Sequence, residues 1–235
     1  MNFWCIFVFS IKILEKRMKT KYISLPKRIF SLLCALSLIF FCGLMYNIII
    51  PYTSGKTDID FLLSKQRIIH LKHYRWSFYL HIFSSLLILA AGLTQLSNYI
   101  LQRAVHIHRW IGKIYTFGIL IISAPAAFVM SFYANGGWIA KPSFLLLSLL
   151  WWYTTWQGYQ AIRRKAVREH AIWMLRSYAL TFSAITLRLM QAGFAAYTQL
   201  DLDTTYQIVS WTSWILNLLV AEWVIKQRLN LLNSY

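Results

Sequence analysis

The sequence predicts an all-α protein, a bundle of six transmembrane helices with both termini on the cytoplasmic side. The 235-residue chain is 58% hydrophobic and 13% charged, and a soluble domain of this length carries about twice that charged fraction. Six apolar stretches reach the roughly 20 residues that a helix needs to cross the hydrocarbon core. The formal net charge is +17, but the basic residues form short clusters between apolar stretches. We therefore predict the lipid bilayer as a partner and exclude nucleic acid.

The predicted spans follow one another through short connections, and several boundaries have a local reason. Pro51 and the Thr-Ser-Gly turn after it end the first span, and an Asn-Gly-Gly turn at 135–137 separates the third span from the fourth. Asp201 and Asp203 mark the loop before the sixth span, and Pro125 predicts a kink in the third. The spans cover residues 29–50, 76–96, 110–133, 144–162, 171–195 and 206–225.

The distribution of lysine and arginine predicts the orientation of the bundle. Sixteen of these residues fall on the side that holds the N-terminal segment, the second and fourth loops and the C-terminal tail, whereas six fall on the opposite side. Because cytoplasmic loops carry an excess of Lys and Arg, both termini are predicted to be cytoplasmic. Arg176 and Arg188 lie within the fifth span and belong to neither count.

The spans form one membrane domain over residues 29–226, because the chain shows no repeat, linker or low-complexity tract. A basic cytoplasmic segment over residues 1–28 precedes this domain, and a cytoplasmic tail over residues 227–235 follows it. Met18 offers a second start, so residues 1–17 are interpreted either as a start-site extension or as an interfacial helix. The three cysteines have neither a CxxC pair nor metal-ligand spacing.

A polar stripe on the fifth span is the most informative local pattern. His170 and Arg188 are eighteen residues apart, which is five turns of an α-helix and about 27 Å along its axis, so both project from the same side. An arginine on a spanning helix normally faces the bundle interior, a partner or a water-filled cavity. We therefore expect Arg188 to face the interior and contact the second or third span. The stripe consists of His170, Met174, Ser177, Thr181, Ala184, Arg188, Gln191 and Ala195.

Two histidines at the cytoplasmic ends of the third and fifth spans suggest a metal or cofactor site. His108 and His170 should lie at similar depth, because these two spans run in the same direction. Such a pair can supply both axial ligands of haem b. Arg109, Arg176 or Arg188 would then pair with the haem propionates. In the alternative interpretation, these histidines and arginines only mark the lipid headgroup boundary.

The outward half of the bundle carries a second group of polar residues. One interpretation is a pocket for an anionic or quinone head group among His81, Gln95, Arg188 and Gln191. The alternative is a structural hydrogen-bond network that joins the second and fifth spans, because buried polar side chains also hold membrane helices together.

Glu222 lies near the cytoplasmic end of the sixth span. Lys226 follows it by four residues, so a local ion pair is the default expectation. A pairing of Glu222 with Arg176 is the alternative.

Two stretches resemble the motifs of a known family. His108-Arg109-Trp110-Ile111-Gly112-Lys113-Ile114-Tyr115 resembles H-R-x-x-G-[RK]-x-Y, and the segment that begins at His170 resembles H-x-x-W-M-x-R-S-Y-A-L-T, followed by Leu187-Arg188. With His81 and Gln95, they are similar to a family of predicted bacterial multi-pass membrane proteins of unknown function. The resemblance covers roughly residues 75–195. It implies a bacterial inner-membrane protein with His81, His108, His170, Arg176 and Arg188 at the family's motif positions.

The architecture is also similar to that of membrane di-haem cytochrome b and ferric-reductase bundles, which is a resemblance of fold class and a weak basis for function. Two functional hypotheses follow. In the first, the protein binds haem b through His108 and His170 and passes electrons across the membrane. In the second, it is a non-enzymatic transporter-like or structural and assembly protein, in which the polar residues only join helices. A cofactor spectrum separates the two.

Overall fold

A computed structural model describes residues 36, 39–95 and 97–233, and the protein is helical throughout this part of the chain. Short turns connect the helices from the second onward, whereas the first two are joined by the longer segment 55–71, which contains a 3₁₀ turn at Asp60–Lys65. In chain order the helices are α1 (Ile39–Ser54), α2 (Lys72–Gln95), α3 (Asn98–Arg103), α4 (Val105–Ser131), α5 (Gly137–Arg163), α6 (Val167–Tyr197) and α7 (Leu202–Asn233).

Four of these helices are long and apolar enough to cross a membrane, as judged over the described residues. They are α2, α4, α6 and the Leu202–Gln227 part of α7, with mean hydropathies from 1.2 to 1.8 over their most apolar windows. These helices confirm the long apolar elements predicted for the second, third, fifth and sixth spans. The protein is therefore a helical membrane protein.

The predicted first and fourth spans are not among these four helices. The fourth lies within α5, whose 27 residues reach about 40 Å by helical rise, but α5 is not one of the four apolar helices because it is rich in Trp, Tyr, Thr and Gln. Residues 29–35, 37 and 38 of the first lie outside the described residues, and its residues 39–50 belong to the shorter apolar helix α1. The number of six spans and the cytoplasmic location of both termini remain predictions. The basic segment over residues 1–28 lies outside the described residues.

The helices pack in an order that places α6 at the centre. α6 packs along both α5 and α7, α5 also packs on α4, and α4 packs along α2. Between Leu175 and Ile185, α6 buries nine side chains. α1 joins the bundle through Met45, which packs with Leu89 of α2 and Phe182 of α6. α5 is therefore antiparallel to both α4 and α6, and α4 and α6 are parallel to each other.

The predicted kink in the third span takes the form of a π-helical segment. Gly118–Ser123 is π-helical, and the Ala124 N–H donates to the Ile119 carbonyl five residues earlier. Pro125 follows directly and explains the change of winding, because proline has no N–H and its ring crowds the preceding turn. The widened turn has a consequence for the site, since it places Ser123 beside α2.

The predicted turns are confirmed. Gly136 and Gly137 have φ of 83° and 62°, which only glycine adopts without strain, and α5 begins at Gly137. The Asp201 carboxylate accepts a hydrogen bond from the Thr204 N–H at 3.0 Å and caps the start of α7. At the end of α1, the α-helical winding gives way to a 3₁₀ turn over Ile50–Ser54 that contains Pro51, and Gly55, with φ of 70°, ends this turn.

Candidate functional site

A buried hydrogen-bond cluster joins α4, α5 and α6 at the middle of the bundle. The Tyr115 hydroxyl lies 2.9 Å from Ser177 Oγ and 2.9 Å from Thr181 Oγ1. Trp151 Nε1 donates to Thr181 Oγ1 at 2.9 Å, and Ser177 Oγ lies 2.7 Å from Thr155 Oγ1. All five side chains are buried. Because these bonds cross three helices, the cluster sets the rotation and depth of each helix.

This cluster also establishes the register of His108 and His170. Each histidine precedes its contact residue by seven positions, His108 before Tyr115 and His170 before Ser177. Seven residues are two turns and about 10 Å, so both imidazoles project from the facing sides of α4 and α6 at the same depth. They are close enough to interact electrostatically. The structure therefore brings together the two histidines that the sequence singled out.

The two imidazoles differ in their hydrogen bonds. His170 Nδ1 lies 2.8 Å from the Gly158 carbonyl oxygen. Since a carbonyl only accepts, Nδ1 carries the hydrogen, and Nε2 of the neutral ring keeps its lone pair. His108 Nδ1 is buried and has no hydrogen-bond partner among the described residues. Buried nitrogens in well-packed proteins usually have a hydrogen-bond partner, so His108 Nδ1 is a candidate to bind a ligand.

Gly158 makes the His170 contact geometrically feasible. A Cβ atom built at this position would lie 2.6 Å from the Met174 sulfur and 3.1 Å from Met174 Cγ, far inside normal contact distance. Without a side chain, α5 lets α6 approach closely enough for His170 to reach the Gly158 carbonyl. The glycine therefore positions one candidate ligand.

Arg176 is engaged elsewhere. Its Nε donates to Glu222 Oε1 at 2.5 Å, and a terminal nitrogen donates to Oε2 at 3.0 Å, a bidentate pair between α6 and α7. The guanidinium also lies 4.5 Å from the centre of the Trp173 ring. The expected local pair of Glu222 with Lys226 is therefore wrong, because Glu222 faces α6 and not the next turn of its own helix. This pairing also removes Arg176 as a free partner for a propionate.

The half of the bundle away from His108 and His170, predicted to be its outward half, contains His81 and Arg188, which line one cavity of about 290 Å³. Each is nine residues from the end of its helix in that half, about 13 Å by helical rise. Arg188 is partly buried and donates to Gln191 Oε1 of its own helix at 3.2 Å. Arg188 thus faces the interior as expected, although its polar partner is not on the second or third span.

His81 is held by the π-helical segment of α4. Its Nδ1 lies 3.1 Å from the Ser123 carbonyl oxygen, and the Ser85 and Ser123 hydroxyls lie 2.8 Å apart. These bonds join α2 with α4, whereas the sequence suggested a network between the second and fifth spans. Gln95 is not part of this group. It lies at the opposite end of α2, with Oε1 3.0 Å from the position of a Cβ on Gly112.

The described residues contain no cluster of three or more His, Cys, Asp or Glu side chains that could hold a metal ion. A metal bound only by protein side chains is therefore not suggested in this part of the chain. Two histidines are sufficient only where another group supplies the remaining ligands, as the four porphyrin nitrogens do in haem.

Sequence reasoning missed two features of this site. Lys65 lies in a loop without helical periodicity, and the hydrogen bond that its ammonium donates to the Tyr133 carbonyl, just after the end of α4, depends on tertiary folding. Thr155 is part of an aromatic-rich stretch whose spacing is typical of an interfacial belt. Other members of the cluster carried a signal, since Ser177 and Thr181 lie on the predicted polar stripe and Tyr115 shares a helix face with His108.

The helical spans and the site together define an integral membrane protein of the multi-pass helical class. The family described as "Predicted membrane protein (DUF2306)" matches residues 78–225, which is more than half of the chain, and the protein belongs to this family. The matched segment includes His81, His108, His170, Arg176 and Arg188. No curated protein and no solved structure matches the chain.

Proposed function

We propose that this protein binds haem b between His108 and His170 and passes electrons across the membrane. One observation carries the proposal: helical register puts the two imidazoles on the facing sides of α4 and α6 at the same depth, close enough to interact electrostatically, and each has a nitrogen without a hydrogen-bond partner among the described residues. The proposal includes the predicted setting, the inner membrane of a bacterium with six spans and both termini in the cytoplasm.

The chemistry of the two side chains suits axial ligation. His108 and His170 would hold the haem iron through imidazole nitrogens, and the haem would supply one-electron redox chemistry. His170 is the better prepared of the two, because its Nδ1–H bond to the Gly158 carbonyl fixes the tautomer, orients the ring and makes Nε2 more basic. Ligation through His108 Nδ1 would give this nitrogen the partner that it lacks among the described residues.

The propionate partners follow from position. Arg109 is exposed beside His108 at the cytoplasmic end of α4 and is the arginine best placed to pair with a carboxylate there. Arg176 is already paired with Glu222. Arg188 is too distant, because eighteen residues separate it from His170, about 27 Å along α6.

A second haem in the outward half finds less support. His81 contacts Ser123, and His73 Nε2 lies 2.7 Å from the Tyr133 hydroxyl, so the two rings have separate partners.

Aromatic and polar groups connect the outward half of the bundle to the histidine pair. The His81 and Trp151 rings meet edge to face at 6.4 Å, and Trp151 belongs to the buried cluster with Tyr115.

An optical spectrum of the purified protein tests the proposal. The full chain is produced under haem-replete conditions, extracted in mild detergent and measured as a reduced-minus-oxidised difference. We expect a Soret band and an α-band in the wild type and in His81→Ala, and loss of both bands in His108→Ala and His170→Ala. A wild type without these bands would overturn the proposal, as would bands that survive in both His108→Ala and His170→Ala.

A second candidate function rests on the buried cluster of Tyr115, Trp151, Thr155, Ser177 and Thr181. These hydrogen bonds join three helices without any ligand, as expected for a structural, assembly or transporter-like membrane protein. We expect such a protein to lose stability in the two histidine variants, with no chromophore to lose. Thermal unfolding recorded on the same preparations as the spectra separates this candidate from the first.

A further inference from the structure

The cavity of about 290 Å³ in the outward half of the bundle is a separate feature from the histidine pair. Its walls are mostly apolar side chains from α1, α2, α4, α5 and α6. Ile48 and Ala184 line it and are exposed, so the cavity is open to its surroundings. An open apolar cavity of this volume matches the lower end of the range for small-molecule sites.

Among the described residues, two lysine or arginine side chains line this cavity, and neither is paired with a carboxylate of this part of the chain. Lys65 is only 4% exposed, and its ammonium donates to the Tyr133 carbonyl at 2.6 Å and to the Asn135 side-chain carbonyl. Arg188 donates to the neutral Gln191 amide. The ion pairs among the described residues lie in the cytoplasmic half, away from this cavity.

The electrostatic state of Lys65 indicates that the cavity favours an anion. Burial, and to a smaller extent the positive charge of Lys141, lowers the pKa of Lys65 from its ordinary value of 10.5 to about 8, and Asp203 opposes both effects. A buried cation without a counter-ion is costly, and a bound anion removes that cost.

Tyr74 adds an unsatisfied hydrogen-bonding group to the same wall. It is 1% exposed, it lines the cavity, and its hydroxyl has no hydrogen-bond partner among the described residues. Its ring meets the Tyr133 ring edge to face at 5.2 Å, and the Tyr133 carbonyl accepts from Lys65. Tyr74 and Lys65 therefore both contact Tyr133, on the same wall of the cavity.

We propose that this cavity binds an amphiphile with an anionic head, a carboxylate or a phosphate on an acyl chain. Lys65, Arg188 and Tyr74 supply the donors for the head. The apolar wall, which includes Met45 and Leu89, contacts the chain. The opening beside Ile48 and Ala184 admits the molecule. This site requires no cofactor and does not depend on the function of His108 and His170.

Binding of labelled oleate to the purified full chain in maltoside detergent tests this inference. Methyl oleate has the same chain without the charge, and oleoyl phosphate presents the other anionic head. Arg188→Gln removes a cation, and Ala184→Leu narrows the cavity while leaving every polar group in place. Arg75→Gln and Ala195→Leu are the matched controls, since both positions are exposed and neither lines the cavity.

We expect oleate to bind the wild type at least tenfold more tightly than methyl oleate. Arg188→Gln and Ala184→Leu should each weaken oleate binding at least tenfold, whereas the controls bind as the wild type does. Tighter binding of oleoyl phosphate supports the anionic head and identifies a phospholipid as the source, and weaker binding identifies a fatty acid.

Equal affinities for oleate and methyl oleate would overturn the inference, as would unchanged oleate binding in Ala184→Leu. If Arg188→Gln fails to fold, the ester comparison and Ala184→Leu decide the question without it.

Discussion

Removal of one hydroxyl, in Tyr115→Phe, tests the buried cluster that sets the register of the bundle. The Tyr115 side chain is 1% exposed, and its hydroxyl contacts Ser177 and Thr181 at 2.9 Å each. A buried hydrogen bond contributes about 1 kcal/mol in soluble proteins and about 0.6 kcal/mol on average in a membrane protein. Both partners keep other bonds, Ser177 to Thr155 and Thr181 to Trp151. We therefore expect the free energy of unfolding to fall by about 1–2 kcal/mol.

Equilibrium unfolding in mixed detergent micelles measures this change, with Tyr153→Phe as the matched control. Tyr153 is 45% exposed, so the loss of its hydroxyl should change the free energy of unfolding by less than about 0.5 kcal/mol. Equal effects in the two variants would refute the reasoning, because the cluster would then contribute nothing specific to the packing of α4 against α6.

Three further predictions follow from individual contacts. Gly158→Ala should destabilise the protein by about 1–3 kcal/mol in the same unfolding assay, because the new methyl group collides with Met174, and an unchanged stability would contradict that close approach. Burial lowers the pKa of Lys65 to about 8, so the unfolded state binds more protons between pH 8 and 10.5 and the free energy of unfolding should rise with pH across this window. Lys65→Met should abolish that rise, and identical pH profiles would contradict the assignment. Glu222→Gln should reduce stability by about 0.5–2 kcal/mol, since it weakens a partly exposed bidentate pair with Arg176, and Arg176→Gln in the same background should then add little.

The elements that sequence alone predicted were those set by local composition. Long apolar stretches predicted α2, α4, α6 and α7, and the Asn-Gly-Gly turn predicted the break before α5 because two successive left-handed residues need glycine. The shared depth of His108 and His170 was also accessible, since it depends only on chain direction and residue spacing. The close approach of α5 to α6 at Gly158 was not.

The features that sequence missed depend on how helices are rotated against each other. Glu222 can reach Lys226 on its own helix or Arg176 on another, and only the packing of α6 on α7 selects Arg176. Gln95 shares a helix face with His81. The two residues are fourteen positions apart, however, which separates them by about 21 Å along α2 at about 1.5 Å per residue. The position of Lys65 against Tyr133 depends on a loop that folds back onto α4, and no periodic pattern records such a contact.

The electron paramagnetic resonance spectrum of the oxidised protein, loaded with haem, tests the central claim most directly. Two axial imidazoles give a low-spin ferric signal, and removal of one leaves a five-coordinate, high-spin iron or no bound haem. We predict a low-spin signal in the wild type and in His81→Ala, and its disappearance in both His108→Ala and His170→Ala. A wild type without a low-spin signal, or a low-spin signal that persists in both of those variants, would contradict ligation by this pair.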